Sequence, residues 1–450
     1  NSTASGLTGA ADENVNDKAN DYVSKLKGED LVAFATKASN WAQTKTNGIM
    51  AGATAMVSAG ATNGSYTATF TDLDYGYYVV AVPGATLANA SGQYATLVSV
   101  DSTNVNTNIK GDLPTVDKKV QVGGTGKDAT DAKIGDTLTF TLTSTIPDMS
   151  AYDTYTFNFK DTLSQGLTFG QVTSVTVDGV TDPLTVNTDY TVTTPTTSDN
   201  TLTVSMKDFK KQQANAGKKI TVTYTATLNK DAVVGGHGNT NSATIQYSNN
   251  PSSGGTGESE PSKVRVFTYG FTVDKYTGDK YDDDATRLAG AEFALAPKNG
   301  TAMSFVQVDA GSATANAVYR VAKAGETDTT TTITTPANGK VVFQGLENGE
   351  YTLTETKAPA GYNKLASAIG VKVDGKNDGT DTTDATVAIT YNNDNGNSYN
   401  QTASNGVIPV QNKSGAILPG TGGMGTIAFT VIGVLVIALG VAWTLKRKNA

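Results

Sequence analysis

Ile220-Thr-Val-Thr-Tyr-Thr-Ala-Thr-Leu228 alternates apolar and hydroxyl side chains without a break. Successive side chains of a strand point to opposite faces, so this stretch reads as a strand with one buried and one wet face. Its surroundings repeat the pattern. Thr137–Ser144, Thr154–Lys160, Val172–Val177, Thr201–Ser205 and Ala243–Tyr247 read as further short strands separated by turn residues. Many short strands with frequent turns predict a β-sandwich from Thr115 to about Pro261.

Composition agrees with a mainly β chain. The 450 residues are 38% hydrophobic, 17% charged and 8% aromatic, with 47 Gly and 12 Pro. Charge falls below the roughly 25% of an ordinary soluble domain. Thr, Asn, Ser and Gly take its place, a mixture suited to strands joined by tight turns. The length predicts about three domains with extra segments. A net charge of −8 argues against a nucleic-acid partner, which would need a basic face. With no Cys there are no disulfides, thiolate metal sites or thiol catalysis, and the single His, His237, excludes a site of two imidazoles.

Working outward, residues 12–46 carry the one soluble helical pattern, with Val23, Leu26, Leu31, Phe34 and Trp41 at helical intervals. Ser65–Phe70, Tyr77–Val82 and Ala95–Val100 read as strands. The expected divisions are 1–111, 112–261, 262–415 and a terminal segment 416–450. Phe70 to Tyr78 echoes Phe343 to Tyr351, each with a Gly turn, so the first and third units are expected to share a fold. The chain starts at Asn1 without an initiator Met or an apolar leader, and a processed or truncated start is expected.

The last segment has its own logic. An uncharged apolar run from about Met424 to Leu445 is long enough to span a bilayer as a transmembrane helix. Lys446-Arg447-Lys448 behind it places residues 1–417 outside the cell. Leu418-Pro419-Gly420-Thr421-Gly422, just before the span, resembles the cell-wall sorting signal of Gram-positive surface proteins. The resemblance implies that a sortase cleaves after Thr421 and passes its acyl group to an amine, so that the membrane anchoring is transient.

Six polar residues fall on apolar strand faces. Lys118 is in phase with Val116 and Val120, Asp161 with Phe157 and Phe159, and Asn241 with Ala243, Ile245 and Tyr247. In the third unit Lys275 follows Phe271 and Val273, Glu355 follows Tyr351 and Leu353, and Asn412 follows Ile408 and Val410. Each unit thus holds a Lys early, an acid midway and an Asn late. Unpaired burial of such groups is costly enough to shift their pKa values.

With these trios the chain resembles a major (backbone) pilin of sortase-assembled Gram-positive pili. The second unit is similar to that family at Pro114–Val120, Asp161–Leu167 and Asn241–Pro251. The third resembles the collagen-adhesin B type at Tyr351–Tyr362. The resemblance implies tandem Ig-like or prealbumin-like β-sandwiches with Lys118–Asn241 and Lys275–Asn412 isopeptide bonds, assisted by Asp161 and Glu355. No cofactor or metal is required, and a single self-directed turnover does not make the chain an enzyme. Val82 stands where an acid would be needed, so no such bond is expected in the first unit. Lys110, after Val105, is the expected acceptor for Thr421 of a neighbour, although the family's Tyr-Pro pair before that lysine is missing. The implied partners are a sortase, identical subunits, peptidoglycan, accessory pilins and host surface ligands. The alternative is a monomeric wall-anchored adhesin, which has no use for Lys110.

Other signals are set aside. Gly123-Gly-Thr-Gly-Lys127 lacks the spacing of a phosphate loop and reads as a turn. Asp282-Asp283-Asp284 lacks the ordered ligand spacing of a cation site.

Overall fold

The computed structural model describes residues 15–43, 55, 58–59, 66–81, 95–107, 113–149, 152–249, 255–281, 285–377, 379–380, 383–393 and 398–415. The acceptor Lys110, the sorting motif 418–422 and the expected span at 424–445 lie outside these residues, as does Val82. Among the described residues no helix is long and apolar enough to cross a membrane.

The first unit has two helices, Val15–Ser24 and Gly28–Gln43, where the helical pattern stood. The second packs against a hairpin of Gly76–Ala81 and Ala95–Val100. The echo with the third unit is kept in one arm only. Gly76 and Gly349 both open a strand, but Phe70–Leu73 is not in a strand whereas Phe343–Leu346 is.

The second unit is a sandwich of two sheets. One has the order Leu167–Val177, Lys219–Leu228, Thr137–Thr145, Asp117–Val122, Thr125–Lys127. The other runs Tyr190–Thr193, Thr201–Met206, Phe157–Leu163, Asn239–Ser248, Ser262–Phe267, Ala129–Asp131. Alternation does the sorting: Phe140, Leu142, Val222 and Tyr224 of the first sheet are buried with Phe157, Phe159 and Ile245 of the second. Ser262–Phe267 pairs with Asn239–Ser248, so the sheet of this unit runs to Phe267, beyond the 261/262 division read from the sequence. Val264 and Val266 are fully buried there.

Thr268 alone separates that strand from the first of the third unit, Tyr269–Thr277. The third unit is a second two-sheet sandwich. Tyr269–Thr277 lies between Lys340–Leu346 and the parallel Val407–Gln411 in one sheet. Glu292–Pro297, Gly349–Lys357 and Ile369–Lys376 are central to the other.

The junction between the two sandwiches is tightly bonded. The Thr268 hydroxyl donates to Leu346 O (3.0 Å), and Gly235 N–H donates to Thr268 O (2.7 Å). Ile134 N–H donates to Gly345 O (3.0 Å), and Asp131 accepts from Asn348 N–H (3.1 Å) and Nδ2 (3.2 Å). Gly345 has φ +85°, and a Cβ there would sit 2.6 Å from Ile134 Cδ1. Only glycine suits both demands.

Candidate functional site

In the second unit, the first strand carries Lys118 inward, and the facing sheet presents Asp161 and Asn241 from neighbouring strands whose register sets Ala243 against Asp161. All three side chains are fully buried. Lys118 Nζ lies 2.5 Å from Asp161 Oδ2. A fourth group sits among them: Tyr224, also fully buried, on Lys219–Leu228. Its hydroxyl accepts from Lys118 Nζ (2.9 Å) and Asn241 Nδ2 (2.6 Å), and donates to Asp161 Oδ2 (2.6 Å). The Tyr224 ring stacks on Phe140 at 5.3 Å, and Lys118 Nζ lies 5.2 Å from both ring centroids.

Loss of water dominates the electrostatics. Burial pushes the Lys118 amine down, against the pull of the Asp161 charge. The Tyr224 phenol is held well above its usual value, first by burial and then by Asp161. Two atoms are left without a hydrogen bond, Asp161 Oδ1 and Asn241 Oδ1, and both are acceptors.

The third unit builds a similar group differently. Lys275 and Val410 face each other on adjacent parallel strands of one sheet, and Asn412 follows just past the second strand. Glu355 reaches across from the other sheet. Lys275 Nζ lies 3.5 Å from Glu355 Oε1 and donates to Val410 O (3.1 Å). Glu355 Oε2 accepts from Leu365 N–H (2.7 Å) and Asn412 Nδ2 (3.0 Å), while Asn412 Nδ2 also donates to Asn363 O. Burial pushes the Lys275 amine down to about 8, with the Glu355 charge opposing. The orphaned atoms here are Glu355 Oε1 and Asn412 Oδ1, again a carboxyl and an amide oxygen.

The structure therefore gathers both trios, in two geometries. Lys275 sits on the first strand of its unit, and Asn412 just past the last, Val407–Gln411. Lys118 and Asn241 sit on facing sheets, Lys118 on Asp117–Val122 and Asn241 on Asn239–Ser248. Lys119 points the other way, to Asp128 (2.6 Å) and Asp117 (3.1 Å) near the surface. His237 pairs with Asp384 (2.8 Å) at the junction of the two sandwiches. Gly123 and Gly124 both have positive φ in a hairpin turn. Among the described residues no group of three or more His, Cys, Asp or Glu could hold a metal.

Sequence reasoning missed Tyr224. Its phase with Val222 and Ala226 already turned it inward, and a buried phenol needs a hydrogen-bond partner. That need was the available signal. The backbone partners Val410 O, Asn363 O and Leu365 N–H carry no side-chain identity and could not be read.

Residues 134–251 match the family described as Gram-positive pilin backbone subunit 2, Cna-B-like domain, and residues 274–390 match the prealbumin-like fold domain. Together the two matches take in just over half of the chain. Among curated proteins, the trypsin-resistant surface T6 protein of Streptococcus pyogenes serotype M6 is 26% identical over 273 residues, 56% of this chain. That match covers 44% of the relative, so the chain spans less than half the length of the curated protein it matches. Similar solved structures include the T6 backbone pilin of serotype M6 Streptococcus pyogenes, at 18% identity and TM-score 0.49 over 87% of this chain and 90% of that one. A 35 kDa C-terminal fragment of the major pilin of Streptococcus agalactiae is 22% identical, with TM-score 0.48 over 67% of this chain and 100% of the fragment. Residues 134–251 thus carry a Gram-positive pilin backbone domain and residues 274–390 a prealbumin-like one, and the chain is a relative of the backbone pilins of Gram-positive pili.

Proposed function

We propose that this chain is the shaft subunit of a covalently built surface pilus, and that its two buried trios close into intramolecular isopeptide bonds. A lysine amine stripped of water is a neutral nucleophile, since burial disfavours its charged form. The neighbouring carboxylate takes the proton that the amine gives up. The acid so formed supplies the donor that the orphaned amide oxygen lacks, and draws electrons from the amide carbon. Attack by Nζ on that carbon and departure of ammonia leave one new amide: Lys118–Asn241 with Asp161, and Lys275–Asn412 with Glu355. No cofactor enters either step.

One observation carries this reading. In both trios the only side-chain atoms without hydrogen bonds are the carboxyl oxygen and the amide oxygen. Two acceptors cannot satisfy each other, and a proton on the carboxyl turns one of them into a donor. A pair kept only for packing would gain nothing from such an arrangement, because unsatisfied buried groups cost stability.

Assembly follows from the ends. Thr421 would be the acyl donor to a sortase and Lys110 of a neighbouring subunit the acceptor, with peptidoglycan taking the last subunit at the wall. The subunits would stand outside the cell, supporting adhesion with accessory pilins, after transient retention by the 424–445 segment.

The test is the intact mass of residues 1–417. The expected result is a deficit of two ammonia molecules, reduced to one by Asp161→Ala or by Glu355→Ala and abolished by the pair. A full theoretical mass would overturn the cross-links and leave a plain wall-anchored adhesin.

A further inference from the structure

In the third unit the carboxyl group touches both reacting residues: Glu355 Oε1 faces Lys275 Nζ and Oε2 holds Asn412 Nδ2. In the second unit it does not. The amide nitrogen that must leave, Asn241 Nδ2, bonds to the Tyr224 hydroxyl, which also bonds Lys118 Nζ and Asp161 Oδ2. A single oxygen thus lies 2.9 Å from the nitrogen that must lose protons and 2.6 Å from the nitrogen that must gain one.

We propose that Tyr224 is a catalytic residue of the Lys118–Asn241 closure, its phenol relaying a proton from Lys118 Nζ to the departing Asn241 Nδ2. The inference rests on the isopeptide reading above. Lys118 first gives a proton to the Asp161 carboxylate, leaving a neutral amine and an acid. The amine lone pair forms the Nζ–Cγ bond, and the carbonyl π electrons move onto Asn241 Oδ1, which the Asp161 acid stabilises. Nζ now carries a positive charge, and Nδ2 has gained a lone pair that can accept. Tyr224 Oη takes a proton from Nζ as its own passes to Nδ2. The C=O reforms, the Cγ–Nδ2 bond breaks and ammonia leaves. Tyr224 ends as the neutral phenol it was, Asp161 stays an acid, and nothing is oxidised or reduced.

The site suits a relay of this kind. The phenol is held against ionisation, so it exchanges protons in concert rather than parting with one. Its ring is fixed by the stack on Phe140 and by Phe169 at 6.0 Å, which leaves the hydroxyl hydrogen as the freely turning part. Once Asp161 is protonated, that hydrogen is no longer needed on Oδ2 and can turn to Nδ2.

The experiment makes the full chain by cell-free synthesis, so that neither bond is closed at the start, and follows both bonds over time by peptide mass spectrometry. Lys275–Asn412 closure serves as the internal clock. Tyr224→Phe keeps the ring and its stacking; it is expected to slow Lys118–Asn241 closure by roughly a hundredfold, the scale of one general acid–base group, and to leave the clock untouched. Closure at the native pace in Tyr224→Phe overturns the proposal. A native chain that never forms the 118–241 bond overturns the isopeptide reading itself, a different result. 3,5-Difluorotyrosine at position 224, which changes the phenol's acidity but scarcely its shape, separates chemistry from packing and decides the matter if Tyr224→Phe misfolds. A changed closure rate supports the relay, and an unchanged rate overturns it.

Discussion

Glu355→Gln isolates the third-unit cross-link with little disturbance to its surroundings. A glutamine oxygen can keep the bonds from Leu365 N–H and Asn412 Nδ2 that Glu355 Oε2 accepts, so the local loss should be about 1 kcal/mol. What it cannot do is take a proton from Lys275. The variant is therefore expected to fold with Lys275 and Asn412 unjoined. The native bond would close a loop of roughly 140 residues, for which the chain-entropy relation gives about 5 kcal/mol. For a domain of this size each kcal/mol moves Tm by about 2–4 °C, so the third-unit transition should fall by roughly 10–20 °C. Calorimetry of the variant beside the native chain reads that shift, with the second-unit transition as reference and intact mass reporting the missing bond. A variant that still loses two ammonia molecules would remove the carboxyl from the chemistry. A variant that loses only one yet melts with the native chain would refute the loop argument.

Other consequences are testable separately. Lys110→Arg should abolish high-mass ladders in cells carrying the sortase; unchanged ladders would move the acceptor elsewhere, and a native chain without ladders would favour the monomeric adhesin. In an Asn412→Ala chain Lys275 stays a free amine, depressed to about 8 when folded against 10.5 when unfolded. The unfolded state then holds more protons between those values, so stability should rise with pH, by about 2 kcal/mol from pH 8 to 9.5, and Lys275→Met in the same background should remove that slope in urea titrations. Gly345→Ala would place a methyl group 2.6 Å from Ile134 Cδ1 at a φ of +85°, and a cost of about 1–3 kcal/mol is expected by denaturant unfolding. Adding Ile134→Ala should restore the part due to the clash but not the part due to the backbone.

Strand positions were legible wherever alternation was uninterrupted. Ala95–Val100 stands where it was read, and Ile220–Leu228 gains only Lys219. The same parity rule put all six trio residues inward, because a charged side chain in phase with Phe or Val has nowhere else to point. Three things were not legible. Ser262–Phe267 falls at the start of the expected 262–415 unit, and only sheet pairing assigns it to Asn239–Ser248. Parity shows which face a residue is on, not whether its partner stands beside it or opposite, so the two closure geometries looked alike. Tyr224 passed as ordinary core because its ring does fill the core, and its hydroxyl acts only in company assembled from distant strands.

Seen as a tension member, the molecule has an uneven reserve of length. With both bonds closed, a load entering at Lys118 passes straight to Asn241, and one entering at Lys275 passes straight to Asn412. Between Lys118 and Asn412 the stretch from Asn241 to Lys275 lacks a covalent shortcut, and fully drawn out it spans about 110 Å. Part of that slack is stored in the pairing of Ser262–Phe267 with Asn239–Ser248 and Ala129–Asp131. That strand is where the shaft would yield first, and where it would spring back when the strain passed.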